Sequence, residues 1–315
     1  MQPKDLTFAA ADLAEAAKAA PIAFVDLAHE LGDHPQMRLP ACPVVGIGPC
    51  GHPLAAQLDA VLEPRFDAAQ LMQAALAQPH AAAVVAQVLR IVPSLAIEDA
   101  LTVESLAYAT LQGSESHRRW IASHRKSDGE QAGHVRLHRD DARLTITLDR
   151  PAAGNAIDRP MRDSLHEAFA LAAMDTSIRH VLLRAEGKAF SLGADLSEFG
   201  TTVDPAEAHR IRQLTLPARE AALCRDRLEA RIDGACIGAG LELAAFATRI
   251  VATPRAWFQL PELAMGILPG AGGCVSLSHR IGRQRTLLMV LSGRRLNARE
   301  ALDWGLVDAL VDQLA

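Results

Sequence analysis

Apolar and polar positions fall into two textures along the chain, and the change comes near residue 130. Ahead of it, residues 67–92 and 97–123 carry apolar side chains at helical spacing. Leu101, Ser105, Tyr108 and Leu111 form one such stripe, with Leu106 beside them. Residues 7–20 and 54–62 read as short alanine- and leucine-rich helices, and Val44–Ile47 as a strand between Pro43 and the Gly48-Pro49 turn. The polar stretch 123–133 is expected to be a linker. Beyond it, 135–138 and 144–148 alternate apolar and polar residues around 139–143, which predicts a hairpin. A helix from Asp158 to Met174 follows, with Pro160 near its first turn, and then a buried strand over 181–185. Helices at 204–225, 239–247, 272–291 and 298–304 alternate with strands at 227–232 and 249–252. That alternation predicts an α/β domain over 134–315, behind a mainly helical region over 1–125.

Composition narrows the partners. A net charge of −5 and a pI near 6.2 offer no basic field for nucleic acid, and 4% aromatic residues offer no stacking platform. The cysteines at 42, 50, 224, 236 and 274 have no metal-ligand spacing and read as buried free thiols in a reducing compartment. No run approaches the ~20 apolar residues that span a bilayer, and charged residues interrupt the first twenty positions. A cytoplasmic protein without membrane partners is expected.

Two carboxylates carry the candidate chemistry. Glu242 follows an apolar approach and a glycine-rich turn, Gly234-Ala-Cys-Ile-Gly-Ala-Gly240, at the start of an apolar helix. Glu262 follows a short strand and precedes the irregular loop Pro269-Gly-Ala-Gly-Gly273. A carboxylate at the head of an apolar helix is costly to desolvate, so it needs partners or a role. Two on one pocket can divide general acid and general base duties. His166 and His180 read as surface or helix-end residues, and no Ser-His-Asp arrangement stands in motif context.

Glycine-rich turns alone are only turns, but here they come in a fixed order. Asp149-Arg-Pro-Ala-Ala-Gly-Asn-Ala-Ile157, Gly187–Leu196, Gly234–Leu243, Gln259–Gly273 and Leu291–Val307 together closely resemble the crotonase (enoyl-CoA hydratase/isomerase) superfamily over 134–312. The resemblance implies a spiral of ββα units that binds an acyl-coenzyme A thioester and stabilises its enolate, in trimers or dimers of trimers. It implies an oxyanion hole from the N–H groups of Ala194 and Ala239, with glycine at 193 allowing close approach and a helix N-terminus behind Ala239. Leu192, Gly193, Asp195, Gly238, Gly240, Pro269 and Gly270 are the implied substrate-binding positions. Glu242 and Glu262 match the two glutamates of hydratases: one deprotonates water for attack at C3, the other exchanges the C2 proton. Coenzyme A enters as part of the substrate, and no separate cofactor or metal is implied. Isomerase, thioester hydrolase and a non-catalytic subunit of the same fold remain alternatives.

The sequence departs from the family's pattern in two places. Lysines common in relatives are Ala152 and Ser197 here; Lys188, Arg150 and Arg184 are candidates to meet the phosphates instead, Arg150 and Arg184 reading equally as solvated strand ends, with Arg118, Arg119, Arg125 or Lys126 as candidates from the front region. The chain also stops at Ala315, where relatives continue for three helices. Residues 58–124 resemble those helices and are expected to stand in for them.

Overall fold

In the computed structural model, residues 1–30, 37–124 and 132–314 are described; most of the expected linker, with Arg125 and Lys126, lies outside them. The alternating segments after it pair as the antiparallel hairpin His134–Asp140 and Arg143–Asp149. Asp141 turns the chain at φ 47, a left-handed conformation that aspartate tolerates. The hairpin forms one edge of a six-stranded sheet. Its order continues through His180–Ala185, Leu228–Ile232, Arg249–Ala252 and Ala309–Leu310, with every further pairing parallel. Parallel neighbours need crossover connections, and helices supply them.

Arg159–Met174 shows why such a crossover forms where it does. Asp158 caps it by accepting from the N–H of Met161 at 3.0 Å, and Pro160 sits in the first turn, where no N–H is needed. Met161, Leu165, Ala168, Phe169 and Ala172 recur at helical spacing and are all buried. Burying each large member is worth about 1.5–3 kcal/mol.

A second sheet of three strands, Leu296–Asn297, Trp257–Gln259 and Ala235–Ile237, stands beside the first. Ala235–Ile237 was not foreseen, because three residues give no readable period. It leads directly into the helix Ala239–Ala244.

The front region holds the helices Ala68–Ala77, Pro79–Ile91, Ile97–Gln112 and Glu115–Ser123. Each expected long helix is therefore two. Pro79 ends the first pair's continuity, and Ser114 caps a new start by accepting from the N–H of His117. The same happens at Pro217, which divides Pro205–Thr215 from Pro217–Leu223. The expected helix at 7–20 shrinks to Leu13–Ala16, and 54–62 becomes a short 3-10 turn and the strand Ala60–Val61. That strand joins Val44–Ile47 and the unexpected Ala23–Asp26 in a small parallel sheet. A minor hydrophobic cluster over residues 10–61 supports this sheet. Leu71, Met72, Val85, Leu89 and Leu101 instead share one core with Leu183, Ile250, Leu287 and Val290. Four cysteines are buried as expected, but Cys50 is exposed.

Candidate active site

A cavity of about 440 Å³ opens where the front helices meet the glycine-rich loops. One wall is built by close backbone approach. The strand Ala235–Ile237 exchanges hydrogen bonds with Ser191, through Ser191 N–H to the Ala235 carbonyl (3.0 Å) and Ile237 N–H to the Ser191 carbonyl (2.9 Å). The chain then turns at Gly238 (φ 47) into Ala239–Ala244. Gly193 (φ 92) lies against this turn: a Cβ there would stand 3.1 Å from the Ile237 carbonyl oxygen and 3.6 Å from the Ala239 nitrogen. This contact brings Ala194 and Ala239 together on the cavity wall. Among the described residues, neither of their N–H groups has a hydrogen-bond acceptor.

The loop carrying Ala194 is anchored behind the wall. Arg150, expected as a phosphate contact, is buried and donates to Asp195 at 2.7 Å and to the Ala156 carbonyl at 3.0 Å, with Asp158 3.6 Å away. It holds the fold together and is not on the cavity wall. Burial pulls the Asp195 carboxyl upward, but hydrogen bonds from Ser197 and Arg150 outweigh it and hold the group below its ordinary range. Leu192 is half exposed and covers Gly154.

Both glutamates face the cavity and both are buried. Glu242 Oε2 accepts from the N–H groups of Ala271 (2.7 Å) and Gly273 (2.9 Å). Burial raises its carboxyl to about 7, opposed by those two donors. Glu262 Oε2 has no hydrogen-bond partner, and its Oε1 lies over Gly238, 2.6 Å from where a Cβ would be. Burial, then the charge of Glu242, pushes Glu262 well above the ordinary carboxylate range. Both carboxyls are thus held above the ordinary range, and Glu242, with two backbone donors, is the better supported as an anion.

A third buried carboxylate was not foreseen. Glu104, on the front helix Ile97–Gln112, accepts from Gly272 N–H (2.7 Å) and Cys274 N–H (2.8 Å). Four successive N–H groups, 271 to 274, are therefore shared alternately between Glu242 and Glu104, at the N-terminus of Gly273–Ile281, where anions are favoured. Burial, then the charge of Glu242, raises the Glu104 carboxyl well above its ordinary value. Tyr108, one turn later, packs its ring on Gly270, where a Cβ would stand 2.0 Å from the ring. His117 directs Nδ1 to the Met265 carbonyl at 2.8 Å; a carbonyl only accepts, so Nδ1 carries the proton. Burial holds that imidazole below its ordinary pKa.

Of the positions implied by the sequence, Leu192, Gly193, Ala194, Asp195, Gly238, Ala239, Glu242, Glu262 and Gly270 line the cavity. Gly240 and Pro269 do not. Gly240 lies against the Ser191 side chain, 2.4 Å from where its Cβ would be, and Pro269 is buried behind the loop, its carbonyl 3.6 Å from Cys274 Sγ. Lys188, Arg184, Arg118 and Arg119 are also off the cavity wall. Arg118 turns back to the Gly113 carbonyl and Arg119 lies 3.4 Å from Glu115. The cations on the wall are Arg159, Arg162 and Arg212. One sequence signal pointed to the front wall: Glu104 falls on the stripe of Leu101, Ser105, Tyr108 and Leu111, a charge on an inward face.

With this geometry established, comparison with known proteins is specific. The profile of the enoyl-CoA hydratase/isomerase family matches residues 139–314. A mevalonyl-coenzyme A hydratase of Beauveria bassiana is 35% identical over 178 residues, covering 54% of this chain and 64% of its own. A 2,3-dehydroadipyl-CoA hydratase of Escherichia coli is 38% identical over 164 residues, covering 52% and 64%. The crystal structure of an enoyl-CoA hydratase from Thermoplasma volcanium aligns with a TM-score of 0.51 at 36% identity, over 57% of this chain and 72% of that one. The chain thus spans just under two-thirds of the length of these curated relatives.

Proposed function

We propose, from the premise that this chain belongs to the enoyl-CoA hydratase/isomerase family, that it adds water reversibly across the double bond of a 2-enoyl thioester. One observation carries the reading: two unpartnered backbone donors and two buried carboxyls, one bound by backbone N–H groups and one with an unpartnered oxygen, line one cavity. The thioester oxygen sits between the N–H groups of Ala194 and Ala239, which bind it most strongly as it becomes an enolate oxygen. Glu242, held as an anion by Ala271 and Gly273, takes a proton from water as the oxygen attacks C3. Glu262 enters protonated and delivers its proton to C2. The net change is OH on C3 and H on C2, and a proton passing from Glu242 to Glu262, directly or through solvent, resets the pair. Coenzyme A is part of the substrate and no further cofactor takes part.

In this reading, Ile97–Gln112 and Glu115–Ser123 cover the pocket. Tyr108, Gln112 and His117 supply that cover. The test is loss of the conjugated enoyl-thioester absorbance across short, branched and aryl 2-enoyl-coenzyme A substrates, run in deuterium oxide. Hydration with one deuterium at C2 supports the reading. Migration of the double bond without water addition would assign the isomerase outcome instead. No reaction, together with no exchange at C2 of a saturated thioester, would leave a non-catalytic fold.

A further inference from the structure

None of the three cations on the cavity wall has a role in the chemistry above; Arg159 is exposed and Arg162 meets Asp163, which leaves Arg212. Arg212, near the end of Pro205–Thr215, lies over the Tyr108 ring with its guanidinium carbon 4.5 Å from the ring centroid. It donates from Nε to Ser105 Oγ (3.0 Å), from one terminal nitrogen to Gln112 Oε1 (3.2 Å), and from the other to the Ser105 carbonyl (3.2 Å). All three acceptors are neutral, and a guanidinium has five donors, so two remain for something else. Arg90, Arg150 and Arg280 each meet an aspartate, whereas no carboxylate lies within ion-pair distance of Arg212 among the described residues. Arg227 also lacks one, but it is turned onto main-chain carbonyls away from the cavity. Glu104 is near enough to act on Arg212 through its charge, yet both its oxygens are taken by Gly272 and Cys274. Burial lowers the Arg212 pKa, the sign of a cation whose lost hydration is not fully replaced.

Its place relative to the reacting centre follows from packing. Ala271 binds Glu242, the adjoining Gly270 supports the Tyr108 ring, and Arg212 lies on that ring. The same wall carries Gln112 and the apolar Ile211, Leu216 and Ala218. A plain alkyl chain would fill this end and leave the guanidinium desolvated without an anion. We propose that Arg212 is a specificity-determining residue that receives a carboxylate at the far end of the acyl chain, so that the substrate class is the monothioester of an unsaturated dicarboxylic acid. Ser105 and Gln112 hold the guanidinium in place, and its two open donors form a charge-assisted pair with the carboxylate. This rests on the thioester reading above, and it deepens that reading by naming the acyl group.

The experiment compares matched 2-enoyl-coenzyme A thioesters of short and medium chain, each with and without an ω-carboxylate, for wild type, Arg212→Met and Arg212→Lys. Wild type should favour one carboxylated chain length in kcat/KM by about 10–100-fold, the worth of a charged hydrogen-bonded pair. Arg212→Met should abolish that preference and Arg212→Lys retain part of it. Calorimetric binding of the saturated, unreactive counterparts, with free coenzyme A alongside, reads the same discrimination without turnover. A carboxylate preference in binding without any hydration would uphold this inference while the hydratase reading failed. Equal binding of both series, or an Arg212→Met variant weakened equally toward both series and free coenzyme A, would overturn it.

Discussion

Replacing Glu104 with alanine tests how the front helix supports the site. The change removes the acceptors of Gly272 N–H and Cys274 N–H, both in a buried loop. A buried donor left without a partner costs about 1–3 kcal/mol, so two cost about 2–6 kcal/mol. Water entering the vacated volume recovers part of this, leaving about 2–4 kcal/mol. At about 2 °C per kcal/mol for a chain of this size, the melting temperature should fall by about 4–8 °C. Glu104→Gln keeps one carbonyl oxygen and should lose about half as much. Glu115→Ala is the control: its pair with Arg119 is exposed, and its removal should change stability by less than about 0.5 kcal/mol. Differential scanning fluorimetry or calorimetry reads all three. Because Ala271 and Gly273 hold Glu242 from the same loop, turnover should fall with stability in Glu104→Ala. A Glu104→Ala protein melting within about 1 °C of wild type would refute the claim that this carboxylate satisfies the loop.

Other outcomes follow from the same contacts. Glu242→Gln and Glu262→Gln should each lower hydration turnover by roughly 10²–10⁴ with the fold intact, and near-wild-type turnover in either would sink the two-carboxyl mechanism. Ala239→Pro deletes one oxyanion N–H at the first helical position, where proline is tolerated; turnover should drop by about 10²–10³ with little change in melting temperature. Glu242 has a folded pKa of about 7 against an ordinary 4.5, so its contribution to stability is complete below 4.5 and lost as pH rises through 7. Wild type should therefore gain melting temperature as pH falls from 8 toward 6, and Glu242→Gln should show less of that gain. A fragment of residues 132–315 exposes Leu287 and Val290 where Leu71, Val85 and Leu89 had covered them, and should aggregate on sizing columns; a soluble, active fragment would contradict this packing.

How much of this could be read from the sequence depended on the range of the interactions involved. The hairpin at 134–149 and the helix Arg159–Met174 carry their own signals, an alternation or a cap with an apolar stripe. The family resemblance likewise came from ordered motifs that include Gly193, Gly238 and Glu242, which can be recognised without knowing the distant residues they pack against. Pro79, Pro217 and Ser114 broke helices whose apolar spacing ran on unbroken, so periodicity alone could not find the breaks. Glu104 was harder. Its place on an inward stripe marks a buried charge but not its partners, and its two donors lie 168 and 170 residues away. Arg150 was misread for the same reason: Asp195, which buries its charge, is 45 residues on.

The packing of the front helices also sets the order of events during synthesis. Leu71 and Leu89 leave the ribosome long before Leu287 and Val290, the residues that complete their core. At roughly 5–20 residues per second, that gap lasts on the order of ten to forty seconds. Through that interval the helices Ala68–Ala77 and Pro79–Ile91 hold an apolar face with no permanent cover. This shared core therefore closes late, when residues 287 and 290 reach residues 71 and 89, and a holdase that shields these helices should raise the yield of native protein more than one acting after release.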